Sequence, residues 1–480
     1  MFSAGFYYKT FMGPKGFWKN IYEPLIRRTA GLGKPPKNFR SKSIHQNHNV
    51  DIVIIGGGLS GLICARKLID SDQEVLLIEQ DSFLGGILKN SNKIKSIEGK
   101  KAIDWINETE ELIKKCKNIK ILKNTLANTY NFTNHLIALE DKFPGKKIDT
   151  NKSELTLHKI RTTHTILANG HIERIISFRN NDLPGVMLAS SFEKYIHRYG
   201  VVPEERPVIF TNNSSTISLV KSLVSLKCKP IAYIDSRKEE NIQKEIKEYL
   251  KINNIKFYPE SEVEGCDGNK KVENINIRSL KSLSVVNSSM LCVSGGYNPD
   301  IHLFTQSKGL LKWDDEIISF KPDTPFQNTI TLGSVSGNFN FKELVSEIDK
   351  KISFITNKKY NPAFELNVSE NFSISELWET KTEKKSNWSK SFIDLHNDVT
   401  TKDLKQSILE GYDRIEHLKR YTTNSMGTDQ GKISSINSLG IVSKILDKKI
   451  AEVGTTTYRP PYAPLSFAAI AGRSTYEYYD

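Results

Sequence analysis

The apolar positions of the chain fall twice into the same order. From Val50, "VDIVIIG" reads as a buried strand, its residues 52–55 all apolar as expected of a strand covered on both faces; "SGLICARKLIDS" follows with helical spacing, and "QEVLLIEQ" is a second buried strand. Strand, helix and strand in that order predict a βαβ unit with a parallel sheet. The order returns in "RPVIFTNNSSTISLVKSLVSLKCKPIAYIDS", which predicts a strand over 208–210, a helix over 215–226 and a strand over 231–234.

Two Rossmann-like units in one chain predict an α/β fold of the two-dinucleotide, disulfide-reductase-like flavoprotein type, one unit inserted into the other. The expected division is a first nucleotide-binding domain over 50–200 and 280–351 with the second unit at 201–279. Residues 1–49, aromatic, basic and without a sustained period, are expected to be an extended lead-in. The stretch 352–391 is rich in Lys, Ser and Asn and is expected to be a linker. A small helical domain and an extended arm are expected over 392–480. There "TTKDLKQSILEGYDRIEHLKRYT" sets Leu404, Ile408, Tyr412, Ile415 and Leu418 on one helical face, with Thr400 or Thr401 as N-cap.

Composition narrows the classes. The chain has 480 residues, 38% hydrophobic and 26% charged, enough for several cores. Its net charge of +13 comes from lysines spread along the whole length, which argues for a solvated basic surface and against a nucleic-acid partner. The five cysteines lie far apart with no C-x-x-C pair, so neither zinc nor a cysteine-ligated cluster is expected, and reduced thiols in a cytoplasmic protein are. No run approaches the roughly 18 apolar residues of a membrane-crossing helix.

The chemistry is concentrated in "IIGGGLSGL". Gly56, Gly58 and Gly61 fill G-x-G-x-x-G between a strand and a helix. The first glycine permits the tight turn, the second lets the backbone approach a pyrophosphate, and the helix N-terminus supplies amide donors. Glu79 ends the second strand, where a carboxylate accepts from both ribose hydroxyls and repels a 2′-phosphate, so NAD or FAD is favoured over NADP. Ser60, Gln80, Gly85, Gly86 and Ala127 are further candidate contacts, and "TILANG" brings Ala168 and Gly170 from a strand crossing, with Asn169 where a threonine is usual.

Two departures bear on which nucleotide binds. The second unit carries Asn212, Asn213 and Ser214 where glycines would be needed, so it is not expected to hold a dinucleotide of its own. In "ITLGSVSGN", Gly333 is followed by Ser334 at the place where FAD enzymes of this architecture usually have an Asp for the ribityl hydroxyl. That substitution tilts the first site from FAD toward NAD.

Long segments then resemble the alpha subunit of heterotetrameric sarcosine oxidase: "YEPLIRRTAGLGKPP", "RNNDLPGVMLASSFEKYIHRYGVVP", "SGGYNPDIHLFTQSKGLLKWDD", "HNDVTTKDLKQSILEGYDRIEHLKRYTTNSMGTDQGK" and "AEVGTTTYRPPYAPLSFAAIAGR". The resemblance implies a subunit of a complex that demethylates sarcosine to glycine, forms hydrogen peroxide and passes the one-carbon unit to tetrahydrofolate. It implies NAD in this chain, FMN at the interface with a beta subunit, FAD and amine oxidation in that subunit, and gamma and delta subunits besides. Family alpha subunits also carry a ferredoxin-like domain before and a folate-binding aminomethyltransferase-like domain after the part seen here, so the chain reads as a partial version. No cysteine lies over 420–435, where related opine or hydroxyproline dehydrogenases often hold an iron–sulfur cluster. Those dehydrogenases, a self-sufficient FAD-dependent pyridine-nucleotide oxidoreductase and a partner whose site stays empty are the rival readings.

No catalytic residue emerges from the sequence. His164, His171, His396 and His417 each read more readily as structural polar residues. Thr428, Asp429, Gln430 and Lys432 form a polar turn suited to a phosphate or a partner surface, and "GTTTYRPPYAP" around Arg459 is expected to be an ordered extended arm, with the lining of a shared cofactor site as the less favoured reading.

Overall fold

The structure, a computed structural model, describes residues 11, 13–31, 42–142, 153–202, 205–280, 282–356, 358, 366–368, 372–382 and 390–471. Residues 1–10 and 32–41 of the lead-in and 472–480 of the final arm lie outside them.

The first unit is built around the strand Lys42–Ile55, flanked in parallel by Val75–Ile78 and Ser153–Leu167. It begins eight residues earlier than the strand expected from Val50. The added residues, including His45, Gln46, Asn47 and His48, pair along Ser153–Leu167 while part of each side chain meets solvent, so pairing there did not require apolarity. Outward from the centre the sheet runs to Ile119–Leu122 on one side and to the antiparallel pair His135–Asp141 and Thr125–Asn131 on the other, and Thr329–Thr331 pairs with Ser153–Leu167.

Successive side chains of a strand face opposite ways. Ile52 and Ile54 therefore pack with Leu62, Trp105 and Ile348 under the helices Leu59–Lys67, Ala102–Lys115 and Phe341–Thr356, whereas Val53 and Ile55 pack with Tyr130, Leu136 and Phe304 on the other face.

The second unit is a parallel five-stranded sheet in the order Val186–Leu188, Leu291–Ser294, Val208–Thr211, Ala232–Asp235, Lys256–Pro259. Helices Ala189–Tyr199, Ile217–Ser225 and Lys244–Ile252 contribute to the core on one face. Residues of a three-stranded antiparallel sheet, including Val263 and Ile275, share the core on the other.

Four expectations change. The second unit is not confined to 201–279: its sheet also takes Val186–Leu188 and Leu291–Ser294, expected in the first domain, because Leu291–Ser294 pairs in parallel with both Val186–Leu188 and Val208–Thr211. The lead-in is not wholly extended: Trp18–Tyr22 and Glu23–Thr29 are helical, with Pro24 in the first turn and Arg27 paired to Glu23 one turn back. The polar stretch after residue 351 does more than connect. The helix before it runs to Thr356, Leu366–Val368 pairs with Ile94–Ile97, and Trp378 is fully buried. The single helical face over 401–422 is two helices, Thr401–Leu409 and Ile415–Thr422, broken where Gly411 takes φ +92°. Thr400 caps the first of them through a reciprocal box with Asp403, as its sequence position suggested.

These helices and Ser435–Leu446 enclose Leu404, Leu418, Leu439 and Val442 in one core with Trp378 and with Ile301 and Phe320 of the nucleotide-binding part. Gly440 makes the contact close: a Cβ there would stand 2.2 Å from the Trp378 ring. The helical region is thereby packed onto the nucleotide-binding part through Ile301, Phe320 and Trp378.

Candidate functional site: a dinucleotide-shaped cavity over the glycine turn

The strand Lys42–Ile55 stops at the glycine turn, and the helix starting at Leu59 points its first amides back across it. Gly58 occupies the N-cap position with no side-chain cap, and Leu62 N donates to Gly58 O at 2.9 Å. The preceding amides of that turn are the ones a helix leaves for an external acceptor. Gly56 sits at φ +104°, and a Cβ on it would lie 2.4 Å from Ala168 O. A Cβ on Gly61 would lie 1.9 Å from Gly56 O, whereas around Gly58 there is open space. The first and third glycines thus serve the backbone and the packing, and the second faces the cavity.

That cavity has a volume of about 490 Å³. It brings together Gly56, Gly58, Ser60, Glu79, Gln80, Gly86, Ala127, Ala168, Gly170, Gly333 and Ser334 in its lining, from segments far apart in sequence. Gly61 and Gly85 stand behind it: Gly61 packs the helix onto the strand, and Gly85 donates its amide to Gly57 O at 2.8 Å.

Glu79 is buried beside the turn. Its Oε2 accepts from Gly57 N at 2.7 Å and its Oε1 from Asp81 N at 2.8 Å. Burial pushes its carboxyl up from the ordinary range, and the backbone donors of Asp81 and Gly57 oppose that shift. Arg198 holds Asp81 with both terminal nitrogens, at 3.0 and 3.1 Å.

From Ser60 the wall continues through Gly333 to Ser334, whose Oγ is 2.9 Å from His171 Nδ1. Burial, and then the nearby Lys93, hold the His171 imidazole down at about 3, so it is neutral at physiological pH. Its ring lies 4.2 Å from that of Tyr297. Lys93 Nζ donates to Tyr297 Oη at 2.7 Å. Glu173, opposite Tyr297 in a short antiparallel pair, accepts from Ser190 N at 2.7 Å with Oε2, while its buried Oε1 has no hydrogen-bond partner among the described residues. Glu193 accepts from Ser218 Oγ, and burial raises it to about 7.

The helical region closes the wall. Tyr462, in the arm after the cis Pro460–Pro461 bond, lines the cavity and donates to Asp300 Oδ2 at 2.7 Å. Lys432 donates to Tyr462 O at 2.9 Å, and Tyr462 N to Asn128 O at 2.6 Å. The polar turn predicted to hold a phosphate or a partner thus has its lysine engaged in fixing the arm. His164, His396 and His417 do not line the cavity; His171 does.

The second unit's turn is filled by the chain itself. Ser214 N, at the start of its first helical turn, donates to Ser373 O at 2.9 Å, and Asn212 Nδ2 donates to Ser375 O at 2.7 Å. Arg237 reaches Ser373 Oγ at 2.7 Å while paired with buried Asp235, the carboxylate at the end of that unit's second strand. Backbone from 373–375 lies where a second pyrophosphate would approach.

Residues 50–324 match the family described as pyridine nucleotide-disulphide oxidoreductase. The chain belongs to that family. Its members are FAD/NAD(P)-binding proteins of the Rossmann type, and the two sheets and the glycine turn are those the sequence led one to expect. Residues 388–473 match the sarcosine oxidase A3 domain. Along nearly its whole length the chain is homologous to sarcosine oxidase alpha subunits. It is 31% identical to that of Rhizobium meliloti (strain 1021), over 98% of this chain and 47% of the relative, and 29% identical to that of Corynebacterium sp. (strain P-1), over 96% and 49%. The chain spans about half the length of the curated relatives it matches. Among solved structures, the L-proline dehydrogenase of P. horikoshii shares the fold, with a TM-score of 0.65 at 22% identity, covering 89% of this chain and 80% of that one.

Sequence reasoning missed Lys93, Glu173, Glu193, Tyr297 and Asp300. Tyr297 and Asp300 lie in "SGGYNPDIH", one of the segments that carries the resemblance; Lys93 lies in "NSNKIK", where nothing separates it from surface lysines.

Proposed function

We propose that the chain is the NAD-binding alpha subunit, in part, of a sarcosine oxidase-like complex. Such a complex demethylates sarcosine oxidatively to glycine, with hydrogen peroxide formed and the one-carbon unit passed to tetrahydrofolate. In this reading amine oxidation takes place on FAD in a beta partner, FMN lies between the two subunits, and gamma and delta subunits complete the assembly.

The observation that carries the NAD assignment is the pairing of Ser334 with His171. The ribityl chain of a flavin calls for a carboxylate at that position, and here a hydroxyl faces a neutral imidazole. The rest of the lining suits an adenine dinucleotide: Glu79 for the adenosine ribose, the open backbone at Gly58 and the first amides of Leu59–Lys67 for the pyrophosphate, and Gln80 and Ala127 beside the adenosine. When bound, NAD would supply a nicotinamide ring able to accept hydride; the residues around it bind and orient.

Reconstitution with a flavin-bearing amine-oxidising subunit of this family tests the proposal. Sarcosine-dependent peroxide formation that requires this chain supports it. A chain that reduces its own flavin with NADH, without any partner, overturns it.

A further inference from the structure

After the last core helix, the arm of the helical region crosses the surface between two fixed points. Tyr458 is 5% exposed, with its ring 3.7 Å from that of His302. Ala469 is fully buried, and its carbonyl accepts from Ser43 and meets His45 Nε2. Between them Arg459, Pro460 and Pro464 face solvent. Burial holds the two ends, and hydrogen bonds fix the span.

Those bonds converge on the cavity. Tyr462 N donates to Asn128 O at 2.6 Å and Ala463 N to Asn128 Oδ1 at 3.0 Å. Asn128 is the extra residue of a β-bulge, since Ala127 opposes Ala138 and Thr129 opposes Ile137, and the bulge aims it at the arm. Its neighbours Thr125, Leu126 and Ala127 line the cavity, and Tyr462 lines it too; every other lining residue among those described falls between Ile55 and Leu344. The Tyr462 hydroxyl donates to buried Asp300 Oδ2 at 2.7 Å. Asp300 N donates to Gly170 O at 3.1 Å, and Asn169 Nδ2 to Asp300 O at 2.8 Å, so the arm is tied to the turn that leads into His171.

We infer that residues 459–466 form a strap over the cavity, latched by the Tyr462–Asp300 hydrogen bond, and that a nucleotide enters and leaves only while the latch is broken. The inference rests on the reading of the cavity as a dinucleotide site. A surface span held by a few polar contacts opens locally at far less cost than unfolding. When only the open state exchanges ligand, the fraction open scales entry and exit alike. The latch therefore sets how long the nucleotide stays, and the cavity walls set how tightly it binds. In this way the helical region governs the residence of a nucleotide held by another part of the chain.

Uptake of labelled NAD by the whole chain stripped of nucleotide, and its release into excess unlabelled NAD, both followed by rapid filtration, test the inference. Y462F keeps the ring in the wall and removes the donor; N128A frees the Ala463 amide from a residue that does not line the cavity. Y462F is expected to raise both rates together by about tenfold, the scale of one hydrogen bond to a charged acceptor, and N128A by less. The dissociation constant should hardly move in either. A rise in release alone marks Tyr462 as a simple contact and overturns the inference, as do unchanged rates in either folded variant. Hydrogen exchange in the wild-type chain decides the matter if neither variant folds: the amides of Tyr462 and Ala463 are expected to exchange more slowly with NAD bound, and equal exchange overturns the latch. A wild-type chain that takes up no NAD removes the dinucleotide reading beneath it, so the two failures are distinguishable.

Discussion

Glu79 Oε2 accepts the amide of Gly57 at 2.7 Å, so the carboxylate expected to take the ribose also braces the turn expected to take the pyrophosphate. The two halves of the motif are mechanically one. Glu79→Gln is expected to weaken NAD binding about tenfold, the scale of one charge-assisted hydrogen bond, and to raise affinity for NADP relative to NAD because the repelling charge is gone. Parallel titrations with the two nucleotides check this; an unchanged NADP to NAD ratio would show that Glu79 does not face the ribose.

Gly61→Ala sets a Cβ 1.9 Å from Gly56 O, against backbone that cannot step aside. The helix Leu59–Lys67 must then shift from the strand. A loss of about 1–3 kcal/mol in stability is expected, together with loss of nucleotide binding. Urea unfolding and calorimetry on one preparation measure both. Gly58→Ala, which enters open space, should fold normally and weaken binding alone.

Gly440→Ala tests the attachment of the helical region, since its Cβ would meet the buried Trp378 ring at 2.2 Å. About 1–3 kcal/mol of destabilisation is expected. If Tyr462 depends on that packing to reach Asp300, the variant also binds NAD more weakly. A thermal melt and a titration separate the two effects.

The cavity's buried titratable groups act on stability in opposite directions. The unfolded His171 imidazole titrates near 6.5 and the folded one at about 3, so the unfolded chain holds the extra proton between those values and stability is lost as pH falls from about 6.5 toward 3. Glu193 is raised from 4.5 to about 7 when folded, so its contribution is present below about 4.5 and is lost as pH rises through 7. His171→Asn should flatten the acid side of the stability profile and Glu193→Gln the fall toward pH 8. Urea midpoints at pH 4.5, 6 and 8 read both; unchanged slopes would mean these groups are not buried as described.

What the sequence made legible follows the strength of local signals. The strand, glycine turn and helix at 52–67 are set by apolar runs and by backbone geometry that only glycine meets, so they could be placed to within a few residues. The polar half of Lys42–Ile55 gave no apolar pattern because its pairing is satisfied by backbone alone. Gly411 divides what reads as one amphipathic face, because side-chain spacing continues across it while its φ of +92° does not. Lys93, Glu173 and Glu193 escaped notice for a different reason. Their chemistry depends on burial and on each other, and neither property is written in residues separated by up to a hundred positions.

The most direct test of the central claim is the cofactor itself. The chain, purified without added nucleotide, is denatured, and the released small molecules are identified by mass and absorbance. NAD, approaching one per chain and without stoichiometric flavin, is the result the account predicts. Stoichiometric FAD in its place, released from this chain alone, would contradict it.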